Sequence, residues 1–145
     1  MKITLSCIVL FLFALAIIVS CKKNDNPATP LTEANLAGTY ALKALTWTYA
    51  AVTINVYDSL DACDKDNLLK LNTDKTLNFI DAGIVCNPSE SANGVWALHG
   101  DSLVLGGTGP IESSKIKRFD GTTLVVTGTP SGQPGVTGVT TLKKQ

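Results

Sequence analysis

The stretch Gly94-Val95-Trp96-Ala97-Leu98-His99-Gly100-Asp101-Ser102-Leu103-Val104-Leu105 decides the fold. Trp96 and Leu98, then Leu103 and Leu105, recur at every second position, the period of a strand with one buried face. A two-residue loop with glycine first suits a type II′ turn, whose twist matches that of the strands it joins. Facing residues across such a turn point to the same side of the sheet, so Gly100-Asp101 sets Leu98 opposite Leu103 and Trp96 opposite Leu105. One continuous apolar face results. A slip of one residue would scatter it, so this segment is an antiparallel hairpin laid on a core.

The same test extends outward. With Thr73-Asp74-Lys75 as a three-residue loop, Leu71 meets Leu77 and Leu69 meets Phe79, again on one face. The third loop position is normally left-handed and glycine-rich, so Lys75 there costs some stability. For Phe119-Asp120-Gly121 the same loop type puts Gly121 in that position and sets Ile116 against Leu124. Three consecutive hairpins make a meander. From Leu36 onward, short runs rich in Thr, Val, Leu and aromatics alternate with Gly, Asp and Asn, a spacing that predicts an all-β antiparallel sandwich or barrel. Strands are expected at 38–48, 51–57, 67–72, 76–81, 94–99, 102–106, 111–118, 122–128 and 136–143. The pattern leaves open whether 38–57 is one bent strand or two. No segment has an amphipathic helical period, although 58–66 has room for one short turn. The connection from Gly128 to Gly138, with Pro130 and Pro134, reads as a long loop suited to a lid or a partner contact.

The start of the chain has a different character. Lys2 is followed by an unbroken apolar run from Cys7 to Val19 and then Ser20-Cys21. A basic start, an apolar stretch and a small residue at the cut site form a secretory signal. The run is too short to span a bilayer, which takes about 20 apolar residues. Ile18-Val19-Ser20-Cys21 resembles the lipobox of bacterial lipoproteins, at which the signal is cut before a lipid-modified cysteine. Residues 1–20 are therefore expected to be removed, and Cys21 to become the acylated first residue. Fatty acyl chains contribute about 0.8 kcal/mol per buried methylene, so two or three of them would hold the protein on the membrane essentially permanently. The expected location is the outer membrane, on its periplasmic face or at the cell surface. Residues 21–35, with two prolines after Lys22-Lys23 and many small polar side chains, read as a lipid-anchored flexible linker. Residues 36–145 remain for one domain, a common domain size at roughly 110 residues.

The four cysteines resolve on this reading. Cys7 leaves with the signal and Cys21 carries lipid, so Cys63 and Cys86 remain as a pair, and exported chains usually join such pairs. The alternative, a metal site, would need two more soft ligands, and the chain offers only His99. Charge is balanced, with 12 basic and 12 acidic residues of which Lys2 leaves with the signal. Nothing in that balance attracts nucleic acid.

Several ordered pieces resemble one family, the small lipocalin-like lipoproteins exported by Bacteroidota-type bacteria. The pieces are Leu36-x-Gly38-Thr39-Tyr40, Cys63-Asp64-Lys65-Asp66-Asn67, Leu68 to Thr76, Cys86-Asn87-Pro88, and Gly94-Val95-Trp96-Ala97-Leu98. The resemblance runs from about Leu36 to the C-terminus. It implies an antiparallel, up-and-down, lipocalin-like barrel of about eight strands, a disulfide between Cys63 and Cys86, and a small apolar ligand inside. One departure is Tyr40, where lipocalins proper carry tryptophan in the first strand. The other is Asp74-Lys75, which stands where the turn is usually Asp-Gly.

Candidate chemistry is sparse. Asp58, Asp61, Asp64 and Asp66 suggest calcium, but an EF-hand loop starting at Asp64 would find Leu69 at its glycine position and Lys75 at its glutamate position. A solvated loop, with Asp and Asn side chains satisfying turn amides beside the disulfide, accounts for them. His99 is the sole histidine and sits on a tight turn, which makes a poor triad. Gly106 to Gly109 lacks the lysine ending and following helix of a phosphate loop. Trp47 and Trp96 are the candidates for stacking on a ligand, with core filling as the default alternative. The chain is accordingly read as a non-catalytic lipoprotein without cofactor or metal. Its barrel binds a small hydrophobic molecule or, alternatively, docks an envelope protein as an inhibitor or accessory subunit.

Replacing Cys21 by alanine is expected to move the protein from the detergent phase to the aqueous phase on detergent partitioning. Retention in the detergent phase would overturn the lipobox reading.

Overall fold

A computed structural model describes residues 29–107 and 111–145. The expected signal segment, the expected lipidation at Cys21 and the expected linker up to residue 28 lie outside the described residues. Nine antiparallel strands follow in chain order: β1 (Gly38–Tyr49), β2 (Val52–Asn55), β3 (Leu68–Leu71), β4 (Thr76–Ile80), β5 (Ala92–His99), β6 (Ser102–Gly107), β7 (Glu112–Phe119), β8 (Thr123–Gly128) and β9 (Thr137–Lys144). From β3 onward each strand pairs with the next, and β9 returns to pair with β1. The ring β1-β3-β4-β5-β6-β7-β8-β9 is therefore a closed eight-stranded barrel, with β2 as an extra strand.

β1 serves three neighbours. On one edge its first half pairs with β3, from Gly38↔Leu71 to Ala41↔Leu68, and its second half with β2, from Thr46↔Asn55 to Tyr49↔Val52. Its other edge pairs with β9 along almost its whole length, with a register shift between Leu42 and Ala44. That extra residue bends the strand and lets Leu45 and Trp47 continue the inward row begun by Tyr40 and Leu42. The segment 38–57 is thus two strands. Their two-residue turn places Ala50 and Ala51 at φ 45° and 68°, the paired left-handed conformation of a type I′ turn.

Two hairpins have the expected register. Trp96↔Leu105 and Leu98↔Leu103 flank Gly100, whose φ is 61°. Leu69↔Phe79 and Leu71↔Leu77 flank the Thr73–Lys75 loop, with Lys75 left-handed at φ 72°. Lysine is held in that position by its contacts. Its carbonyl accepts from Trp96 N at 2.9 Å, and its ammonium pairs with Glu33 and lies 4.6 Å from the Trp96 ring centroid. The third register differs from expectation. Leu124 faces Phe119, so the pairing is already displaced at the loop, and a register shift in β7 between Ile116 and Arg118 takes back only part of this, leaving Ile116 opposite Val126. Asp120 sets the loop later than expected: its Oδ1 accepts from the N–H groups of Thr122 (3.0 Å) and Thr123 (2.7 Å) and from the Thr122 hydroxyl (2.9 Å). These donors hold the Asp120 carboxyl far below the usual carboxylate range.

The strand directions give the barrel two unlike ends. At one end lie the loops after β3, β5 and β7, together with both chain ends of the domain. Residues 29–35, which the sequence reading places in the linker, pack there as a plug. Thr32 caps a helical turn at Glu33–Leu36, accepting from Asn35 N at 3.2 Å, and Leu36 is fully buried with Leu31 against the core. The buried Tyr40 hydroxyl donates to Leu36 O at 2.7 Å, and burial pushes its pKa up to about 12. Lys144 donates to Asn35 O at 2.8 Å while its side chain crosses Gly38, where any Cβ would collide with Lys144 Cε. Trp96, Leu71, Leu103, Ile116 and Leu124 complete this core.

Leu36→Ala is expected to lower the unfolding free energy by about 2–5 kcal/mol, as large-to-small core changes do. Tyr40→Phe, which strands a buried carbonyl, should cost about 1–3 kcal/mol. Urea denaturation measures both, and a neutral Leu36→Ala would show that the plug is not part of the cooperative unit.

Candidate functional site: a cavity at the open end

Along the inward-facing positions of the barrel, side chains change character from one end to the other. On β7 the inward row Ile116, Ser114, Glu112 runs from buried and apolar to exposed and charged, and on β9 Leu142 gives way to Thr140. The large side chains cluster at the plugged end, and the other end is left unfilled. A cavity of about 380 Å³ results, within the usual range of small-molecule sites. Leu42, Leu45, Leu69, Phe79 and Leu105 give it apolar walls, and Asp64, Asn67 and Glu112 supply polar groups. It continues into an outer hollow of about 240 Å³ that adds Trp47, Pro130 and Ser131 while sharing Leu45, Glu112 and Thr140.

Two loops form one side of the mouth. Residues between β2 and β3 carry a 3₁₀ turn (Tyr57–Ser59) and a helical turn (Ala62–Lys65), in the segment expected to hold a short turn. The loop between β4 and β5 lies beside it, and the Cys63–Cys86 disulfide joins the two. Asp66 Oδ2 accepts from Ile84 N at 2.8 Å across the same seam. Asp81 accepts from the N–H groups of Cys86 and Glu90, each at 3.1 Å. Desolvation opposes the Asp81 charge, but these donors outweigh it and hold the carboxyl below its ordinary range. Glu90 is shifted the other way, raised by desolvation and then by the nearby Asp64 and Asp81 carboxylates. Asn67 donates weakly to Glu90 at 3.4 Å, and its Oδ1 has no partner among the described residues.

The residues singled out from sequence are not brought together. Trp47 stands at the mouth, whereas Trp96 is 2 % exposed in the plugged core, donating through Nε1 to Asn72 O at 2.8 Å. His99 is exposed at the end of β5, on the plugged side. Of the acidic group, Asp58 accepts from Asn55 Nδ2 at 2.8 Å and Asp66 braces the disulfide seam, the loop roles expected of them. Asp64 alone of the four reaches the cavity wall. Cys63, Asp64 and Cys86 lie close enough to resemble a metal cluster, but both sulfurs are consumed in the disulfide. Asn67 and Glu112 were not singled out as site residues. The readable signal for Glu112 was a polar residue at an inward position of a strand whose deeper neighbour, Ile116, is apolar.

The model of the lipocalin-like domain family matches residues 23–126. The chain belongs to that family. No curated protein matches it. The matched span begins earlier than Leu36, where the sequence resemblance was placed, and ends within β8. In this lipocalin-like domain the barrel-closing strand β9 therefore lies beyond the match.

Acid should loosen the mouth. Asp81 titrates lower in the folded state than in the unfolded chain, so its stabilisation is complete above the unfolded value near pH 4 and is lost as pH falls toward the folded one. Thermal melts between about pH 6 and pH 2 should show Asp81→Asn less acid-sensitive than the parent chain. Parallel melting curves would exclude Asp81 as a contributor.

Proposed function

We propose that this lipocalin-like domain holds a small hydrophobic molecule in its barrel without converting it, as part of an outer-membrane lipoprotein of the Bacteroidota type anchored through Cys21. The cavity carries the reading: about 380 Å³, apolar on most sides and open at one end. Barrels of eight strands are just wide enough either to be filled by side chains or to hold one small ligand, and here the upper half is unfilled. The non-catalytic reading is supported by the position of His99, which lies at the plugged end and away from the cavity. The lipid anchor rests on the lipobox-like Ile18-Val19-Ser20-Cys21.

A second reading, a protein-docking module, is favoured by the β1–β2 hairpin. Tyr49, Val52 and Ile54 are each more than half exposed there, and an apolar groove of about 250 Å³ runs between them, Trp47 and Val136. Surface patches of that kind mark interaction sites.

Native mass spectrometry of the chain purified from an exporting host separates the two. A small apolar molecule that co-purifies and departs on unfolding is expected. Leu105→Trp, which fills the cavity from its wall, should lower binding of a neutral fluorescent naphthylamine probe at least tenfold with the circular dichroism spectrum unchanged. A bare mass together with no probe binding would overturn ligand carriage and favour docking.

A further inference from the structure

The charged groups of the cavity share one sign. Its walls carry Asp64 and Glu112, the outer hollow shares Glu112, and neither is lined by a lysine, arginine or histidine among the described residues. Glu90 and Asp81 add two further carboxylates beside Asp64, close enough that their charges raise the Glu90 pKa. The ion pairs among the described residues, Lys75 with Glu33, Lys115 with Asp101 and Arg118 with Asp120, involve none of these mouth carboxylates. Lys65, the basic residue of the mouth helix, donates to Asp58 O at 3.1 Å and lies 5.7 Å from the Tyr57 ring centroid.

An independent feature lies in the same wall. Asn67 is 5 % exposed, lines the cavity, and carries a buried Oδ1 without a hydrogen-bond partner. Buried acceptors are nearly always satisfied, so an unpaired one on a cavity wall asks for a donor. The apolar walls formed by Leu42, Leu69 and Leu105 suit an alkyl or ring body, and the polar groups lie toward the mouth. Trp47, lining the outer hollow with Glu112, offers an aromatic face of the kind that attracts ammonium groups.

We propose that the cavity selects amphiphiles with a cationic head, hydrophobic amines or quaternary ammonium compounds, and rejects fatty carboxylates. This rests on the reading of the barrel as a carrier of small hydrophobic molecules. The alkyl body occupies the apolar interior. The head sits between Asp64 and Glu112, and a protonated amine also donates to Asn67 Oδ1. A fatty carboxylate in the same pose would place its charge against two carboxylates and leave Asn67 unpaired. In a partly desolvated site that juxtaposition is felt more strongly than in water.

The test uses the exported chain carrying Cys21→Ala, so that no detergent competes for the cavity. The neutral naphthylamine probe is displaced by three amphiphiles of equal chain length, dodecylamine, dodecanol and dodecanoate, each below its micelle concentration. Dodecylamine is expected to bind at least tenfold more tightly than dodecanol, and dodecanoate more weakly than either. Glu112→Gln and Asp64→Asn should each narrow the gap between amine and alcohol severalfold while leaving dodecanol unchanged. Equal affinities, or tightest binding by dodecanoate, would overturn the charge selectivity while leaving hydrophobic carriage intact. Probe binding that none of the three displaces would also overturn it. Failure of the probe itself to bind would overturn the carrier reading and this proposal with it.

Discussion

β9 lies between β1 and β8, and its pairing with β1 from Tyr40↔Lys144 to Thr48↔Thr137 turns a twisted meander into a barrel. Closure removes the two open edges that such a sheet would otherwise expose. It also dictates what must happen at the first turn of β1. With β9 alongside, the Lys144 side chain crosses Gly38 and reaches Asn35 O, which draws residues 31–36 under the barrel. Tyr40 then has a carbonyl, Leu36 O, within reach of its buried hydroxyl. Glycine suits 38 because its φ of 152° is one that residues with a side chain rarely adopt, and tyrosine suits 40 because a polar tip must meet the plug.

Placing the largest inward residues at that end has a complementary effect at the other. Tyr40, Trp96, Leu71 and Leu124 pack the plugged half, whereas the inward positions nearer the mouth include Ser114, Thr140 and Glu112, with Phe79 and several leucines as walls. A barrel has nearly constant bore, so volume missing from one layer of side chains is left as space. The disulfide contributes differently. By joining the β2–β3 loop to the β4–β5 loop it fixes the wall that carries Asp64 and Asn67, with Asp66 and Asp81 holding backbone amides on either side. The outer β1–β2 hairpin has no such bracing and exposes its apolar residues.

Much of this architecture was legible because a strand's side-chain period is two, so hairpin register follows from the apolar pattern. The Gly100 and Thr73–Lys75 hairpins obeyed that rule down to individual pairs, and the β1–β2 break was visible as a candidate. The Asp120 hairpin did not, because one carboxylate collecting two backbone amides moved the loop and a register shift in β7 took back only part of the displacement. Residues 29–35 of the plug were read as linker because a four-residue helical turn has no periodicity to read, and Leu31 stands among polar residues, while Leu36 was already placed in the domain. The cavity was legible only as a class. Whether an inward tryptophan fills the core or lines a hollow depends on its height in the barrel, and Trp47 and Trp96, similar in sequence context, ended at opposite ends.

The order in which the strands are made bears on how the chain acquires its shape. β1, made first among the nine, waits for β9, made last, before the barrel can shut, and their pairing spans nearly the whole domain in sequence. Contacts so distant along the chain are slow to form and cannot form on a nascent fragment. A chain emerging from the ribosome therefore cannot shut its barrel until its final strand has been made.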